Sequence, residues 1–199
     1  MGLTFTNTAA TTAAVANRFV ASANMKVGTY TVANASPAWS GGCFVTVTHT
    51  EVGGGVDTLG TITIAGTGLD GQGISEAIVP LNGTVATGTK VFRTVGSVTG
   101  AGWVIGTGND TIVVGCAAGN IACGSQGQLG GVLVNNAVAA TVVISDAGRT
   151  IMTIPASQAA GTFYDLNGVD FGGYLKVATT STNDVTVFHT GTSPSSYAL

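Results

Sequence analysis

Short runs of alternating apolar and polar residues, each cut off by glycine, asparagine or aspartate, dominate this sequence and leave little room for any fold but a β one. In Cys43-Phe44-Val45-Thr46-Val47-Thr48-His49, the residues Cys43, Val45 and Val47 fall on one face and Phe44, Thr46 and Thr48 on the other. A strand buried on one side needs that period of two, whereas a helix repeats about every 3.6 residues. The same alternation recurs at Thr61-Ile62-Thr63-Ile64, from Phe92 to Val98, at Thr111-Ile112-Val113-Val114, at Met152-Thr153-Ile154 and at Asp184-Val185-Thr186-Val187-Phe188. Turn signals separate these runs: Gly53-Gly54-Gly55, Leu69-Asp70-Gly71, Asn82-Gly83, Gly108-Asn109-Asp110, Asn135-Asn136, Asp146-Ala147-Gly148, Asn167-Gly168 and Gly172-Gly173. Gly, Asn and Asp accept the positive φ that tight hairpins demand.

The pattern predicts an all-β chain: an antiparallel β-sandwich or jelly-roll-like unit, followed by a smaller β unit and preceded by an extended N-terminal arm. The Ala-rich stretch from Ala9 to Asn24 is the one place for a helix. Four threonines between Thr6 and Thr12 favour extended backbone there instead. A Gly-rich stretch around Cys116 and Cys123 has little that forms a strand and reads as a linker. The expected division is therefore an arm (1–24), a main β-sandwich (25–118), a Gly-rich linker (119–130), a smaller C-terminal β unit (131–191) and a Pro/Ser tail (192–199).

Composition narrows the function. Charged residues make up 8% of the chain, against roughly 25% in ordinary soluble domains. A surface of small neutral side chains resists aggregation poorly unless neighbouring subunits cover it, which points to a homo-oligomer or lattice component. The six basic residues, Arg18, Lys26, Lys90, Arg93, Arg149 and Lys176, are scattered, and the net charge is -3. No stripe exists to neutralise several phosphates, so nucleic acid is not an expected partner. No apolar run nears the roughly 18 residues of a bilayer-spanning helix, and no membrane association is expected. The start, Met-Gly-Leu-Thr-Phe-Thr-Asn-Thr, lacks the basic and apolar regions of a secretory signal, so assembly in a host cytoplasm is expected.

Gly60 to Glu76, followed by Gly88-Thr89-Lys90-Val91-Phe92-Arg93-Thr94-Val95-Gly96-Ser97-Val98-Thr99 and by Gly106 to Gly115, resembles a pattern of small structural proteins of tailed bacteriophages. The closing segments Ala160 to Tyr164, Leu175-Lys176-Val177 and Asp184 to Val187 are similar to the last strands of capsid-decoration or neck proteins. The resemblance implies a non-enzymatic virion protein. Its expected role is capsid decoration (cement), with a neck, collar or tail shell role as the alternative. Expected partners are copies of itself, as a trimer, and the major capsid or neck and tail proteins. The resemblance brings no catalytic residues, and its pattern does not include Cys43, Cys116 or Cys123.

The remaining motifs carry weak chemical readings. Gly66-Thr67-Gly68-Leu69-Asp70-Gly71 satisfies G-x-G-x-x-G, yet it leads into Ile74-Ser75-Glu76 and Pro80 rather than a helix, so a hairpin is expected and no cofactor. Cys43, Cys116 and Cys123 lack metal-site spacing. They read as buried thiols, as a Cys116–Cys123 disulfide formed after lysis, or, for Cys43, as an intersubunit link. His49 and His189, with Asp57 and Asp184 nearby in sequence, offer no catalytic constellation and read as solvent-edge residues. Glu51 and Glu76 lack an aromatic cleft for glycoside chemistry. Trp39 and Trp103 are candidates for interface or glycan contacts, and a virion-borne carbohydrate or host-surface binding module is the rival function.

Overall fold

The structure is a computed structural model describing residues 4–8, 12–39, 41–54 and 57–191. In chain order its strands are β1 (Thr4–Thr8), β2 (Val15–Asn24), β3 (Thr29–Tyr30), β4 (Cys43–Thr50), β5 (Thr58–Thr67) and β6 (Gly73–Ile78). Then come β7 (Val85–Phe92), β8 (Thr94–Val104), β9 (Thr111–Cys116), β10 (Asn120–Cys123) and β11 (Gly127–Val134). The last five are β12 (Val142–Asp146), β13 (Arg149–Ile154), β14 (Phe163–Phe171), β15 (Leu175–Thr179) and β16 (Val185–Gly191). Among the described residues the one helical element is a 3₁₀ turn at Met25–Val27.

The chain forms two compact units, and one is inserted into the other. The inserted unit comprises Ala14–Pro37 and Cys43–Ala117; the host unit comprises Met1–Ala13, Ala38–Gly42 and Ala118–Leu199. The inserted unit has sheets β2-β9-β4-β7 and β3-β8-β5-β6. The host unit has sheets β1-β16-β11-β14 and β10-β15-β12-β13. Numbering each unit's eight strands afresh gives the same pair of orders in both, 1-8-3-6 and 2-7-4-5. That is the jelly-roll arrangement, and every ladder is antiparallel.

Insertion works because the host strand order separates β1 from β10 by a loop that can be any length, provided its ends stay close. They do in both units. In the inserted unit Val15 is the ladder partner of Cys116, and in the host unit the Gly119 amide donates to the Thr12 carbonyl at 2.8 Å. Residues 38–42 return to the host unit, where Gly42 bridges Ile121. Gly41 is obligatory there, since a Cβ on it would sit 2.0 Å from the Asn120 Oδ1.

Alternation supplies both cores. On β4, Cys43, Val45 and Val47 are fully buried, and Ile62 and Ile64 of β5 and Ile112 and Val114 of β9 complete the inserted unit's interior with Phe19 and Phe92. The host core runs through Leu129, Val132, Val142, Ile144, Leu175, Val177, Val185 and Val187. Each such side chain contributes about 1.5–3 kcal/mol by leaving water.

The expected division differs from this at three points. Residues 4–8 and 15–24 are extended, as read from the threonines, but they pair as β1 and β2 in different units instead of forming a free arm. The expected linker at 119–130 holds β10 and the start of β11. Its glycines hid two short strands whose inward residues are Ile121 and Leu129. The expected smaller unit at 131–191 is instead part of a full eight-strand unit completed by β1 and β10. The tail at 192–199 and residues 1–3 and 9–11 lie outside the described residues.

Candidate functional site: the loop end of the inserted unit

The loops β2–β3, β4–β5, β6–β7 and β8–β9 each cross from one sheet of the inserted unit to the other, and hydrogen bonds tie all four together. At the centre is His49, near the end of β4 and 1% exposed. Its Nε2 lies 2.8 Å from Oδ2 of Asp110, the residue just before β9, which is fully buried. Its Nδ1 lies 3.2 Å from Oδ1 of Asn82 in the β6–β7 loop, and the Asn82 Nδ2 donates to the Glu51 carboxylate at 2.7 Å. Glu51 can only accept, so the Asn82 amide must turn its oxygen to the imidazole. Both ring nitrogens are thus hydrogen-bonded, and the ring is fixed between Asp110 and an oriented amide.

Burial by itself would raise the Asp110 pKa. The Val52 amide, 2.9 Å from its Oδ1, together with His49 and a hydrogen bond with Asp57, outweighs burial and holds the carboxyl below its usual range. The remaining links are backbone ones. The Met25 amide donates to the Asp110 carbonyl at 2.8 Å, and the Gly83 amide to the His49 carbonyl at 2.9 Å. The Lys26 ammonium donates to the Gly108 carbonyl at 2.8 Å, and the Gly106 amide to Asp57 at 2.7 Å. The Thr107 hydroxyl donates to the carbonyls of Gly53 and Gly54.

This braced end carries an apolar rim. Of the eight large hydrophobic residues exposed among the described residues, six sit on these loops or at the strand ends beside them: Val27, Val52, Val79, Leu81, Val85 and Val104, at 45–67% exposure. Apolar side chains gathered on a rigid frame are what a protein contact uses, because little ordering entropy remains to be lost on docking. The buried His49–Asp110 pair, by contrast, has no solvent access and serves as a brace.

The residues singled out from sequence fall as follows. His49 and His189 are both buried, at 1% and 3% exposure, which corrects the solvent-edge reading. His49 takes Asp110 as its carboxylate, and Asp57 instead caps the β8–β9 loop. Cys116 has the Cys43 thiol as its hydrogen-bonded neighbour in the inserted unit, while Cys123 belongs to the host unit and donates to the Ser125 carbonyl at 3.4 Å. All three are free and buried, and Cys116 and Cys123 belong to different units. The hydrogen bond with Cys116 and then burial push the Cys43 thiol far above the usual range, leaving it unreactive.

Trp39 is 7% exposed and donates from Nε1 to the Gly42 carbonyl at 3.0 Å, so it presents no ring face to a sugar. Trp103 is half-buried, and its ring lies over the backbone of Gly28 and Gly100, pinning the β2–β3 turn. Glu76 accepts from Thr89 N at 2.6 Å, Thr89 Oγ1 at 2.9 Å and Lys90 N at 3.2 Å, joining the edges of β6 and β7. Gly66 to Gly71 spans the end of β5 and the hairpin to β6, closed by Gly68 N to Gln72 O at 2.9 Å. Among the described residues no three His, Cys, Asp or Glu side chains are grouped to hold a metal ion.

Sequence reasoning missed Asp110 and Asn82 as partners of His49. The available signal was Asn-Asp directly before a β-branched run, which occurs at Asn109-Asp110 and again at Asn183-Asp184. Comparison of the chain with protein-family models, with curated proteins and with solved structures returned no match.

Proposed function

We propose that this protein is a non-enzymatic structural component of a bacteriophage virion, a capsid decoration protein that stabilises the particle through contacts with its own copies and with the major capsid protein. The observation that carries the reading is the braced loop end with its exposed apolar rim, in a chain that is otherwise charge-poor. A decoration protein works by adding interface area at many equivalent positions, each modest, with a standard contact burying about 1,600 Å². Nested jelly rolls suit that task, since closed sandwiches are stiff and keep their shape under load. The sequence resemblance to tailed-phage structural proteins points the same way, and a homotrimer remains the proposed assembly.

The test is to purify particles with and without the protein and to locate its density on them. The reading expects density on the head lattice and weaker resistance to heat or osmotic shock in its absence. Density around the neck or tail would favour the collar alternative. A protein missing from particles altogether would refute both. Leu81→Asp and Val27→Asp on the rim should each reduce binding to depleted particles by about tenfold or more while leaving the fold intact, since a charge on an apolar contact costs well over 1.4 kcal/mol.

A further inference from the structure

The chain contains two Asn-Gly dipeptides in matching local sequence, Leu81-Asn82-Gly83 and Leu166-Asn167-Gly168, and the fold treats them oppositely. Asn-Gly is the dipeptide most open to intramolecular attack, because glycine leaves the following amide nitrogen unshielded. At Asn82 every reacting group is held. Its Oδ1 faces His49 Nδ1 at 3.2 Å, its Nδ2 is bound to Glu51 at 2.7 Å, and the Gly83 nitrogen that would attack is donated to the His49 carbonyl at 2.9 Å.

Asn167 is exposed, and its side-chain amide makes no hydrogen bond to another described residue. It lies in β14, an edge strand, where the pairing with β11 breaks register between Leu129 and Gly131. Asn167 has φ 51° and Gly168 φ 77°. A left-handed pair at a break in an edge ladder gives the Asn167 side chain and the Gly168 nitrogen room to meet.

We propose that Asn167 is a site of spontaneous deamidation, and that the His49–Asn82–Glu51 brace protects Asn82 from the same chemistry. The Gly168 backbone nitrogen attacks Cγ of Asn167, the C–N bond to the side-chain amide breaks, and ammonia leaves carrying the proton lost from the attacking nitrogen. Water then opens the resulting succinimide at either carbonyl, giving aspartate or isoaspartate at position 167. No oxidant is required, and the sum is amide plus water to carboxylate plus ammonium. Each event adds one negative charge, taking the chain from -3 to -4, and places it between Asp165 and Asp170 on an exposed edge. Charge on an edge strand discourages pairing with another sheet, so the product is a more strongly guarded edge.

The test is incubation of the full chain in mildly alkaline buffer, followed by peptide mass spectrometry and isoaspartyl methyltransferase labelling. In the native protein, conversion at Asn167 should exceed that at Asn82 by roughly tenfold or more, since Asn82 must first break several hydrogen bonds. In urea the two sites, in near-identical sequence, should converge. Glu51→Gln, which weakens the clamp without emptying the core, should raise the Asn82 rate alone. Equal native rates, or an Asn167 that stays amidated while the urea-unfolded chain converts, would overturn the proposal.

Discussion

His49 and His189 end strands in similar sequence, Thr48-His49-Thr50 and Phe188-His189-Thr190, and both are buried, yet the inserted and host units give them different hydrogen-bonding settings. His49 sits between a carboxylate and an oriented amide, with a partner at each ring nitrogen. Among the described residues His189 has only the Thr6 hydroxyl, 3.2 Å from its Nε2, and its Nδ1 has no partner. Burial therefore lowers the His189 pKa and keeps the ring neutral. The lesson is that burial alone does not decide what a histidine does; the groups aimed at its two nitrogens do.

The loop ends repeat the contrast. In the inserted unit the residue before the last strand is Asp110, which holds His49. In the host unit Asp184 takes that position and accepts from the neutral amides of Asn135 at 2.7 Å and Asn136 at 3.3 Å. Beside it, buried Asn183 ties its own loop to the β11–β12 loop and the end of β15: its Oδ1 accepts from Ala139 N at 2.7 Å and Ala140 N at 3.3 Å, while its Nδ2 donates to Ala140 O at 2.8 Å and to the Thr179 hydroxyl. One unit is braced by a histidine–carboxylate pair and the other by an amide.

Breaking the charged brace should have the largest effect. Asp110→Ala leaves His49 buried without its carboxylate partner and should cost about 3–5 kcal/mol, a large part of a typical domain's stability. Hydrogen exchange read by peptide should show the loss in residues 43–117; an equal loss in the host core would defeat the comparison. Asn183→Ala should cost about 2–3 kcal/mol, from lost hydrogen bonds and buried groups left unsatisfied, with faster exchange confined to the host unit.

Acid should separate the units more gently. A base whose folded pKa is depressed stabilises the protein above its unfolded pKa, so the host unit should weaken as pH falls below about 6.5 and His189 is driven to protonate. Asp110 has the same sign of linkage and acts at lower pH: its contribution is present above the ordinary carboxylate pKa and is lost as pH falls through its lowered folded value. Asp146 in the host unit follows the same acid limb, its carboxyl held down chiefly by the Gly172 amide and further by Gly173 and Arg149, against the upward pull of burial. Unfolding followed from pH 7 downward should thus show the host unit softening first, and simultaneous loss would contradict this. The smallest change is His189→Leu, which should shift stability at neutral pH by less than about 1.5 kcal/mol while flattening the host unit's slope near pH 6.

Much of the fold was legible locally. The runs at Cys43–Thr50, Thr61–Ile64 and Val185–Phe188 became strands with the expected faces inward, and Asn82-Gly83 and Leu69-Asp70-Gly71 became turns. β2 was read as extended but not as a sheet strand, because its pairing with β9 slips register twice and so breaks the alternation. β10 is four residues long and polar at its start, too short for a periodic signal. The candidate site was the least legible part, since His49 and Asp110 stand 61 residues apart and the rim residues come from four separate loops.

Period-two alternation and turn chemistry are local properties of the chain, and they were enough to dictate β structure, the inward faces and the places where strands end. Alternation says which face a residue takes and nothing about which strand lies beside it. Partner choice, the insertion of one jelly roll's sequence within the other's and the separate fates of two like histidines depend on contacts between distant residues, which arise only when closing the sheets buries each unit's core.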